Sequence, residues 1–305
     1  MFYDLVIVGG GPAGAGAAVY AARKKMKTLI ATDSWGGQSL VSADIQNWIG
    51  TPHISGLELA KMLEAHVRAY QPDVEILEER IEKIDSKNGG FVLISQSGQT
   101  IEAKTVLICT GSRRRRLGVP GEDKLDGKGI AWCGTCDAPL FKDKVVAVIG
   151  GGNAGLETVL DLNPYASQIY LFHRRDQLKG DPLTQEKVLS NKKVTVIYNA
   201  ETQEILGDQF VSGLRYKDSK IGAEKTLGLE GVFVEIGNVP NSDIVKHLVK
   251  TDEWGQIVVD HKTQQTLAKG IWAAGDVTDV LNKQNNISVG DAIKAVLNIY
   301  SYVWG

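Results

Sequence analysis

Residues 5–14 read Leu-Val-Ile-Val-Gly-Gly-Gly-Pro-Ala-Gly, and this stretch decides how the chain begins to fold. Its first four residues are apolar and have the length and composition of a buried parallel strand. The spacing Gly-x-Gly-x-x-Gly then predicts a tight turn, and the alanine-rich segment Pro12–Arg23 predicts a helix that packs back on the strand. The apolar segment Lys27–Ala31 predicts the next strand, which completes a βαβ unit.

The same pattern returns in the middle of the chain. The apolar run Val145–Ile149 precedes Gly150-x-Gly152-x-x-Gly155, and a second helix and strand are predicted after it. In such a motif the first glycine permits the turn, the second lets the backbone approach a pyrophosphate, and the third lets the helix pack on the strand. One motif alone is also compatible with an ordinary glycine-rich turn. Two in this context predict two bound dinucleotides and an α/β fold with two Rossmann-like dinucleotide-binding domains.

The bulk properties exclude several other classes of protein. A chain of 305 residues should form about two domains. Its 43% hydrophobic and 23% charged residues are typical of a globular protein, and a net charge of −2 does not favour nucleic acid as a partner. No apolar run approaches the ~18 residues that span a bilayer, and the start has no basic region or cleavage site. We therefore expect a cytoplasmic protein with neither a membrane nor a nucleic-acid partner.

The residues after the second strand of each unit indicate which nucleotide is bound. In the first unit this place reads Ala31-Thr32-Asp33, so the acidic residue that usually holds a ribose is absent or displaced to Asp33. In the second unit it reads His173-Arg174-Arg175, and guanidinium groups suit the 2′-phosphate of NADP. The alternative is a solvated basic turn.

Two of the three cysteines form the motif Cys133-Gly134-Thr135-Cys136, followed by Asp137. A zinc site would need a second ligand pair, and a thioredoxin fold would place the motif early in its own small domain, so no metal is expected. A redox-active disulfide served by a flavin fits best, with Asp137 as proton donor and acceptor. Cys109 lies in an apolar run and is predicted to be a core residue.

Four consecutive arginines occupy residues 113–116. A charge run of this kind is most often a solvated loop. The functional alternative is a docking patch for an acidic protein or cofactor.

Together these motifs resemble the low-molecular-weight thioredoxin reductases and the flavoprotein portion of bacterial alkyl hydroperoxide reductase. The resemblance covers essentially the whole chain. It depends on Gly9-Gly10-Gly11-Pro12-Ala13-Gly14, Gly36-Gly37-Gln38, Asn47-Trp48-Ile49-Gly50, Thr110-Gly111, Val119-Pro120-Gly121-Glu122, Cys133 to Asp137, Gly150 to Asn153, His173-Arg174-Arg175-Asp176 and Gly275-Asp276-Val277.

The resemblance implies a set of site residues and a division into domains. FAD would be held by Gly9, Gly11, Pro12, Ala13, Gly14, Gly37, Gln38, Asn47, Gly111, Gly275, Asp276 and Gln284. NADPH would be held by Gly152, Asn153, Ala154, Glu157, His173, Arg174 and Arg175. The FAD domain would be discontinuous, 1–116 and 243–305, with the NADPH domain 117–242 between its parts. Cys136 would lie against the flavin, Cys133 would attack the partner disulfide, and the protein would be a homodimer.

Some positions depart from the family pattern. Lys283 replaces the arginine expected before Gln284, and Lys179 replaces the one expected after the His-Arg-Arg-Asp motif. Residues 138–141 are closer to the peroxiredoxin-reductase version of a segment that helps to dock the partner. Because the first glycine motif starts at Gly9, we expect no extra N-terminal disulfide domain.

The sequence therefore predicts an FAD-dependent disulfide reductase that passes electrons from NADPH through Cys133 and Cys136 to thioredoxin or a similar small dithiol protein. A peroxiredoxin-recycling or ferredoxin-driven reductase of the same family stays open as an alternative. A flavin-bound redox sensor is the alternative outside catalysis.

Overall fold

Strand β1 (Phe2–Gly10) leads directly into helix α1 (Pro12–Arg23) in a computed structural model that describes residues 2–42 and 44–305. The turn between them depends on Gly14, because a Cβ atom there would lie 1.8 Å from the carbonyl oxygen of Gly9. The second glycine motif has the same geometry, with Gly155 against the carbonyl oxygen of Gly150 at the same distance. Both predicted strand–turn–helix units are confirmed.

The further elements follow in chain order. The strands are β2 (Thr28–Trp35), β3 (Val74–Leu77), β4 (Ile81–Lys87), β5 (Gly90–Ser95), β6 (Thr100–Ile108), β7 (Ser112–Arg114), β8 (Ile130–Ala131), β9 (Val145–Ile149), β10 (Gln168–Phe172), β11 (Val194–Ile197), β12 (Ala200–Gly207), β13 (Val211–Asp218), β14 (Glu224–Gly228), β15 (Gly231–Val234), β16 (Asn238–Pro240) and β17 (Ile271–Ala273). The helices are α2 (Gly56–Arg68), α3 (Glu122–Leu125), α4 (Gly134–Asp137), α5 (Asn153–Leu162), α6 (Pro182–Leu189) and α7 (Asn285–Trp304), with 3-10 turns at Gly37–Val41 and Ala138–Phe141.

The chain divides into two compact units. The first contains Met1–Val41, Gln46–Arg113 and Val239–Gly305, and the second contains Ser42–Ile45 and Arg114–Asn238. The division thus falls after residues 113 and 238, whereas the sequence analysis placed the boundaries after residues 116 and 242.

The first unit is built on a seven-stranded sheet in the order β3-β2-β1-β6-β5-β4, with β17 also paired to β6. Strands β3, β2, β1, β6 and β17 are parallel, and β4, β5 and β6 form an antiparallel meander. One face packs against α1 and α7, and a second apolar cluster covers the other face. Because these strands are parallel, their carboxyl ends and the turns that follow them meet at one edge.

The second unit is built on a five-stranded parallel sheet in the order β11-β10-β9-β15-β8, with a separate antiparallel sheet β12-β13-β14. Helix α5 follows β9, as α1 follows β1 in the first unit. The parallel strands and α5 enclose a fully buried apolar cluster that includes Val148, Leu156 and Phe233. This duplicated arrangement is the predicted pair of Rossmann-like sheets.

The last helix is longer than its apolar periodicity predicts. Apolar residues at helical spacing predict a helix over residues 291–303. In the structure α7 starts at Asn285, where the N–H of Ser288 donates to the carbonyl of Gln284 at 2.9 Å. Its first turn is polar, so the hydrophobic pattern does not report it. That turn faces a cleft rather than the core.

Candidate functional sites

A long cleft in the first unit gathers most of the residues expected to hold FAD. Its volume is about 720 Å3, and its walls include the ends of β1, β2 and β6 and the first turn of α7. The expected residues that line it are Gly9, Gly11, Pro12, Ala13, Gly37, Gln38, Gly111, Gly275 and Asp276. Gly14 lies behind this wall, where it lets α1 approach β1.

The cleft has the features that a dinucleotide needs. Gly11 and Pro12 begin α1, and Asn285 and Ser288 in the first turn of α7 line the same space. Backbone N–H groups at a helix start favour an anion such as a pyrophosphate. A Cβ atom at Gly11 would lie 3.9 Å from Cα of Gly37, so these two glycines keep the space between them free of side chains. The residues present fit an extended, phosphate-containing cofactor.

Asp33, the acidic residue nearest to the expected ribose position, lines the cleft. Its Oδ2 accepts two hydrogen bonds from Arg80, from Nε at 2.9 Å and from Nη2 at 2.7 Å. Arg80 lies in the same wall but far away in sequence, so the sequence analysis did not find it. The displaced acid is therefore held in place by an arginine.

Asn47 and Gln284 are placed together, although neither is among the cleft-lining residues. The Nδ2 of Asn47 donates to Oε1 of Gln284 at 3.1 Å, and Asn286 Nδ2 donates to the carbonyl of Asn47 at 2.8 Å. These bonds tie the loop around Asn47 to the start of α7.

Lys283, which replaces an expected arginine, is used for local structure. Its ammonium group donates to the carbonyl oxygens of Asp276 at 3.2 Å and Thr278 at 2.5 Å. Burial lowers the pKa of Lys283. Ser288 Oγ donates to Oδ1 of Asp276 at 3.4 Å, so the backbone and the side chain of Asp276 each have a hydrogen-bond partner.

The second glycine loop lies in the second unit, between β9 and α5. Gly152 precedes the first turn of α5, and the exposed residues Asn153, Ala154 and Glu157 form the start of that helix. Oδ1 of Asn153 accepts a hydrogen bond from the N–H of Asp181 at 2.6 Å. The expected NADPH residues at 152–157 are thus brought together at one helix start.

The three residues of the basic motif differ in their surroundings. The His173 ring is buried, and its Nδ1 accepts the N–H of Gly151 at 3.2 Å. Burial, and then the nearby positive charges, lower the pKa of His173, so the neutral ring supports the glycine loop from below. Arg174 and Arg175 are exposed, and neither guanidinium forms an ion pair or a hydrogen bond with another described residue. Of the three residues, these two are therefore the ones open to a ligand.

Cys133 and Cys136 form a disulfide at the start of α4, with their Cα atoms 5.3 Å apart. The N–H of Cys136 donates to Sγ of Cys133 at 3.2 Å. Thr135 Oγ1 donates to Oδ2 of Asp161 on α5 at 2.8 Å, which fixes the turn between the cysteines. Both sulfur-bearing residues are half-buried. The disulfide is therefore partly accessible and has two chemically different sulfurs.

Two carboxyl groups with raised pKa values accompany the disulfide. Burial raises the pKa of Asp137, against the opposing influence of Arg114 and of the N–H groups of Trp132 and Cys133. Burial also raises the pKa of Glu235 to about 7. Asp137 could be predicted because it adjoins the cysteine motif. Glu235 was not predicted, because its only signal is an acidic residue directly after the apolar strand β15.

Some of the four arginines at residues 113–116 have ordered partners, so the run is not a uniformly solvated loop or open patch. Arg116 pairs with Asp123 at 2.6 Å and with Asp126 at 2.7 Å, and it lies 5.2 Å from the centre of the Trp132 ring. Arg114 donates to the carbonyl oxygen of Trp132. The interpretation as a solvated loop is therefore wrong for Arg114, which is half-buried. Arg116 remains exposed but is ordered by its ion pairs and by the ring that follows β8.

Other parts of the described chain show no sign of different chemistry. Residues 2–42 and 44–305 contain no cluster of three acidic, histidine or cysteine side chains that could hold a metal ion. Over the same residues, no helix is long and apolar enough to cross a bilayer. Cys109 is a buried core residue, as predicted, and burial raises the pKa of its thiol.

Known proteins resemble this chain over nearly its whole length. The family profile described as pyridine nucleotide-disulphide oxidoreductase matches residues 3–295. An alkyl hydroperoxide reductase subunit of Staphylococcus aureus (strain Mu50) is 42% identical over 301 residues, which are 99% of this chain and 59% of that protein. The corresponding protein of Pseudomonas putida is 43% identical over 303 residues, 99% of this chain and 58% of that protein. The chain thus spans somewhat more than half the length of these curated relatives.

Solved structures match over their whole length. Thioredoxin reductase from Streptococcus pyogenes MGAS5005 has a TM-score of 0.89 at 35% identity, and the match covers 99% of this chain and 98% of that one. Thioredoxin reductase from Giardia duodenalis has a TM-score of 0.90 at 30% identity with the same coverage. The chain belongs to the pyridine nucleotide-disulphide oxidoreductase family.

Proposed function

We propose that the chain is an NADPH-dependent, FAD-containing reductase whose Cys133–Cys136 pair reduces the disulfide of thioredoxin or a similar small dithiol protein. One observation carries this proposal. The half-buried disulfide has an acid with a raised pKa, Asp137, directly beside it, and both lie in the unit that holds the second glycine loop.

FAD would be held by the cleft of the first unit, residues 1–116 and 243–305 of the proposed FAD domain. The helix starts at Gly11 and Asn285 suit its pyrophosphate, and Asp33, held by Arg80, suits a ribose hydroxyl. Asn47 and Gln284 would support the cleft through their mutual hydrogen bond. When bound, FAD supplies a two-electron carrier between a nicotinamide and a disulfide.

NADPH would be held by the second unit, residues 117–242 of the proposed NADPH domain. Gly152, Asn153, Ala154 and Glu157 would meet its pyrophosphate at the start of α5. The unpaired guanidinium groups of Arg174 and Arg175 suit a 2′-phosphate, because guanidinium pairs bidentately with phosphate oxygens. His173 would act through the loop that it supports.

The exchange step uses the chain's own sulfurs. In the reduced protein, the thiolate of Cys133 attacks one sulfur of the partner disulfide and releases the other as a thiolate, which takes a proton from Asp137. Cys136 then attacks Cys133, releases the partner's second sulfur and restores the Cys133–Cys136 disulfide. The N–H of Cys136 stabilises negative charge on Cys133 Sγ, which supports Cys133 as the attacking residue.

The test compares protein substrates under identical conditions. NADPH oxidation by the purified holoenzyme would be followed with a thioredoxin, a glutaredoxin-like protein and a peroxiredoxin system as acceptors. The proposal expects rapid turnover with thioredoxin that requires both cysteines. Turnover with none of the acceptors would leave the redox-sensor alternative.

Recycling of a peroxiredoxin is the second candidate. It is favoured by the two relatives at 42% and 43% identity, both of which are named as subunits of alkyl hydroperoxide reductase. Turnover with the peroxiredoxin system but not with thioredoxin would select it. Reduction of the bound flavin by reduced ferredoxin but not by NADPH, followed by its absorbance, would instead select the ferredoxin-driven alternative.

A homodimer in the cytoplasm completes the proposal. The first unit exposes large apolar side chains at Ile49, Leu57 and Met62, on α2 and the segment before it. Large exposed apolar side chains in one segment of the chain favour an interface. Sedimentation analysis of the holoenzyme at several concentrations tests the dimer.

A further inference from the structure

Glu235 lies where three parts of the second unit meet. It follows β15 directly, and its N–H donates to the carbonyl of Ile149 at the end of β9 at 2.8 Å. Its own carbonyl oxygen lies 2.1 Å from where a Cβ atom of Gly150 would be. The Glu235 backbone therefore lies against the turn of the second glycine loop.

The side chain of Glu235 reaches the helix that holds the cysteines. Its Oε1 accepts a hydrogen bond from Thr158 Oγ1 on α5 at 3.1 Å, and the N–H of Gly134 is near enough to lower the pKa of the same carboxyl group. Gly134 is the first residue of α4, and a Cβ atom there would lie 2.6 Å from Thr158 Oγ1. The carboxyl group thus lies under the first turn of α4, next to the peptide that follows Cys133.

The charged groups around Glu235 come from two other elements. Asp137 ends α4, and Arg114 ends β7, while α5 faces the carboxyl group with the uncharged hydroxyl of Thr158. Burial is the main cause that raises the pKa of Glu235 to about 7, and the charge of Asp137 raises it further. Arg114, Thr158 and Gly134 act in the opposite direction. Glu235 therefore changes its charge in the neutral range, where thiol–disulfide exchange takes place.

We propose that Glu235 is a positioning residue for the redox pair: its carboxyl group holds the first turn of α4, and its ionisation controls the acidity of the Cys133 and Cys136 thiols. The neutral carboxyl leaves Arg114 and the helix N–H groups to favour a thiolate. The ionised carboxyl adds a negative charge beneath the same turn, which disfavours a thiolate. The inference deepens the proposed function and rests on it for the catalytic use of the thiols.

The experiment measures the reactivity of the two thiols in the absence of NADPH and of a protein partner. The holoenzyme is reduced with dithiothreitol and desalted, and iodoacetamide labelling of Cys133 and Cys136 is followed by peptide mass spectrometry from ~pH 5.5 to ~pH 9.5. In the native protein we expect the plot of labelling rate against pH to deviate, near pH 7, from the titration curve of a single thiol, because Glu235 ionises there. Glu235→Gln keeps the size of the side chain but cannot ionise. The rate curve of this variant should follow a simple titration. At ~pH 8 its cysteines should be labelled at least about three times faster than those of the native protein.

Two further variants keep the test decisive. Thr158→Val removes a hydrogen bond that lowers the pKa of Glu235, so the deviation should move to higher pH. Glu201→Gln makes the same chemical change at an exposed residue of β12 and should leave the curve unchanged. Native-like curves for both Glu235→Gln and Thr158→Val would overturn the inference, as would an equal effect of Glu201→Gln. If native enzyme shows no turnover with any protein substrate, the proposed function fails, while the labelling result still decides the role of Glu235.

Discussion

At the scale of single residues, we propose that the two exposed arginines after β10 determine the choice of nucleotide. A hydrogen bond to a charged group contributes about 1.5–3 kcal/mol, and a tenfold effect needs only about 1.4 kcal/mol. Replacing both Arg174 and Arg175 with alanine should therefore raise the KM for NADPH at least about tenfold and leave that for NADH nearly unchanged. Steady-state kinetics with both nucleotides measure this. Lys192→Ala, at an exposed position of the same unit, is the matched control.

An equal rise of the KM for NADPH and for NADH in the double variant would indicate general damage to the site. Equal kcat/KM for the two nucleotides in the native enzyme would mean that the arginines are a solvated turn. A moderate rather than absolute preference for NADPH is expected, because Lys179 stands where the family has another arginine.

The two cysteines should have unequal acidity. Sγ of Cys133 accepts the N–H of Cys136, and a hydrogen bond to sulfur favours the thiolate. In Cys136→Ser the remaining Cys133 should thus be alkylated at lower pH than the remaining Cys136 in Cys133→Ser. Both variants should lose reduction of the protein substrate but keep NADPH-dependent reduction of bound FAD. Normal turnover in either variant contradicts the proposed exchange step.

What could be predicted at this scale depended on whether a residue belongs to a local motif. The cysteine pair and the arginines could be found because their spacing and position after a strand have a direct chemical meaning. Arg80 and Glu235 could not, because each reaches its site through tertiary packing from a distant part of the chain. His173 was found, but its buried contact with Gly151 is visible only in the folded protein.

At the scale of elements, the glycines of one loop should respond differently to the same methyl group. A Cβ atom at Gly155 would lie 1.8 Å from the carbonyl oxygen of Gly150, whereas none of the surrounding atoms lies within 4 Å of one at Gly152. Gly155→Ala should therefore destabilise the second unit by roughly 1–3 kcal/mol, the usual cost of overpacking. Gly152→Ala should keep the fold but weaken the binding of NADPH, because the methyl group enters the space proposed for the pyrophosphate.

Thermal unfolding and the KM for NADPH separate these effects. Loss of stability in Gly152→Ala, or a native melting curve in Gly155→Ala, would be inconsistent with the described loop. Element boundaries were predictable wherever apolar periodicity continues to the end, as in α1. They were not predictable at the first turn of α7, because its polar residues line the cleft and do not continue the apolar pattern of the helix.

At the scale of the whole molecule, each unit has its own apolar clusters and its own proposed ligand. The clusters around β1 and β6 belong to the first unit, and those around β9 and β15 belong to the second. A ligand that binds only the folded form of one unit stabilises that unit, by about 2.7 kcal/mol at a concentration of a hundred times its Kd. The discontinuous course of the first unit came from a family resemblance, since no local pattern shows that residues 239–305 rejoin residues 1–113.

Calorimetry should therefore resolve two ligand-dependent contributions to unfolding. Removing FAD should lower the melting temperature of one transition, and adding about one FAD per chain should restore it together with the yellow colour. Adding NADPH to the apoprotein should raise the melting temperature of the other transition. The Arg174→Ala, Arg175→Ala double variant should lose most of that rise but keep the response to FAD. This double dissociation follows from placing the two ligands in separate folded units. If FAD and NADPH shift the same transition and the arginine variant weakens both responses, the two glycine loops do not serve separate cofactors.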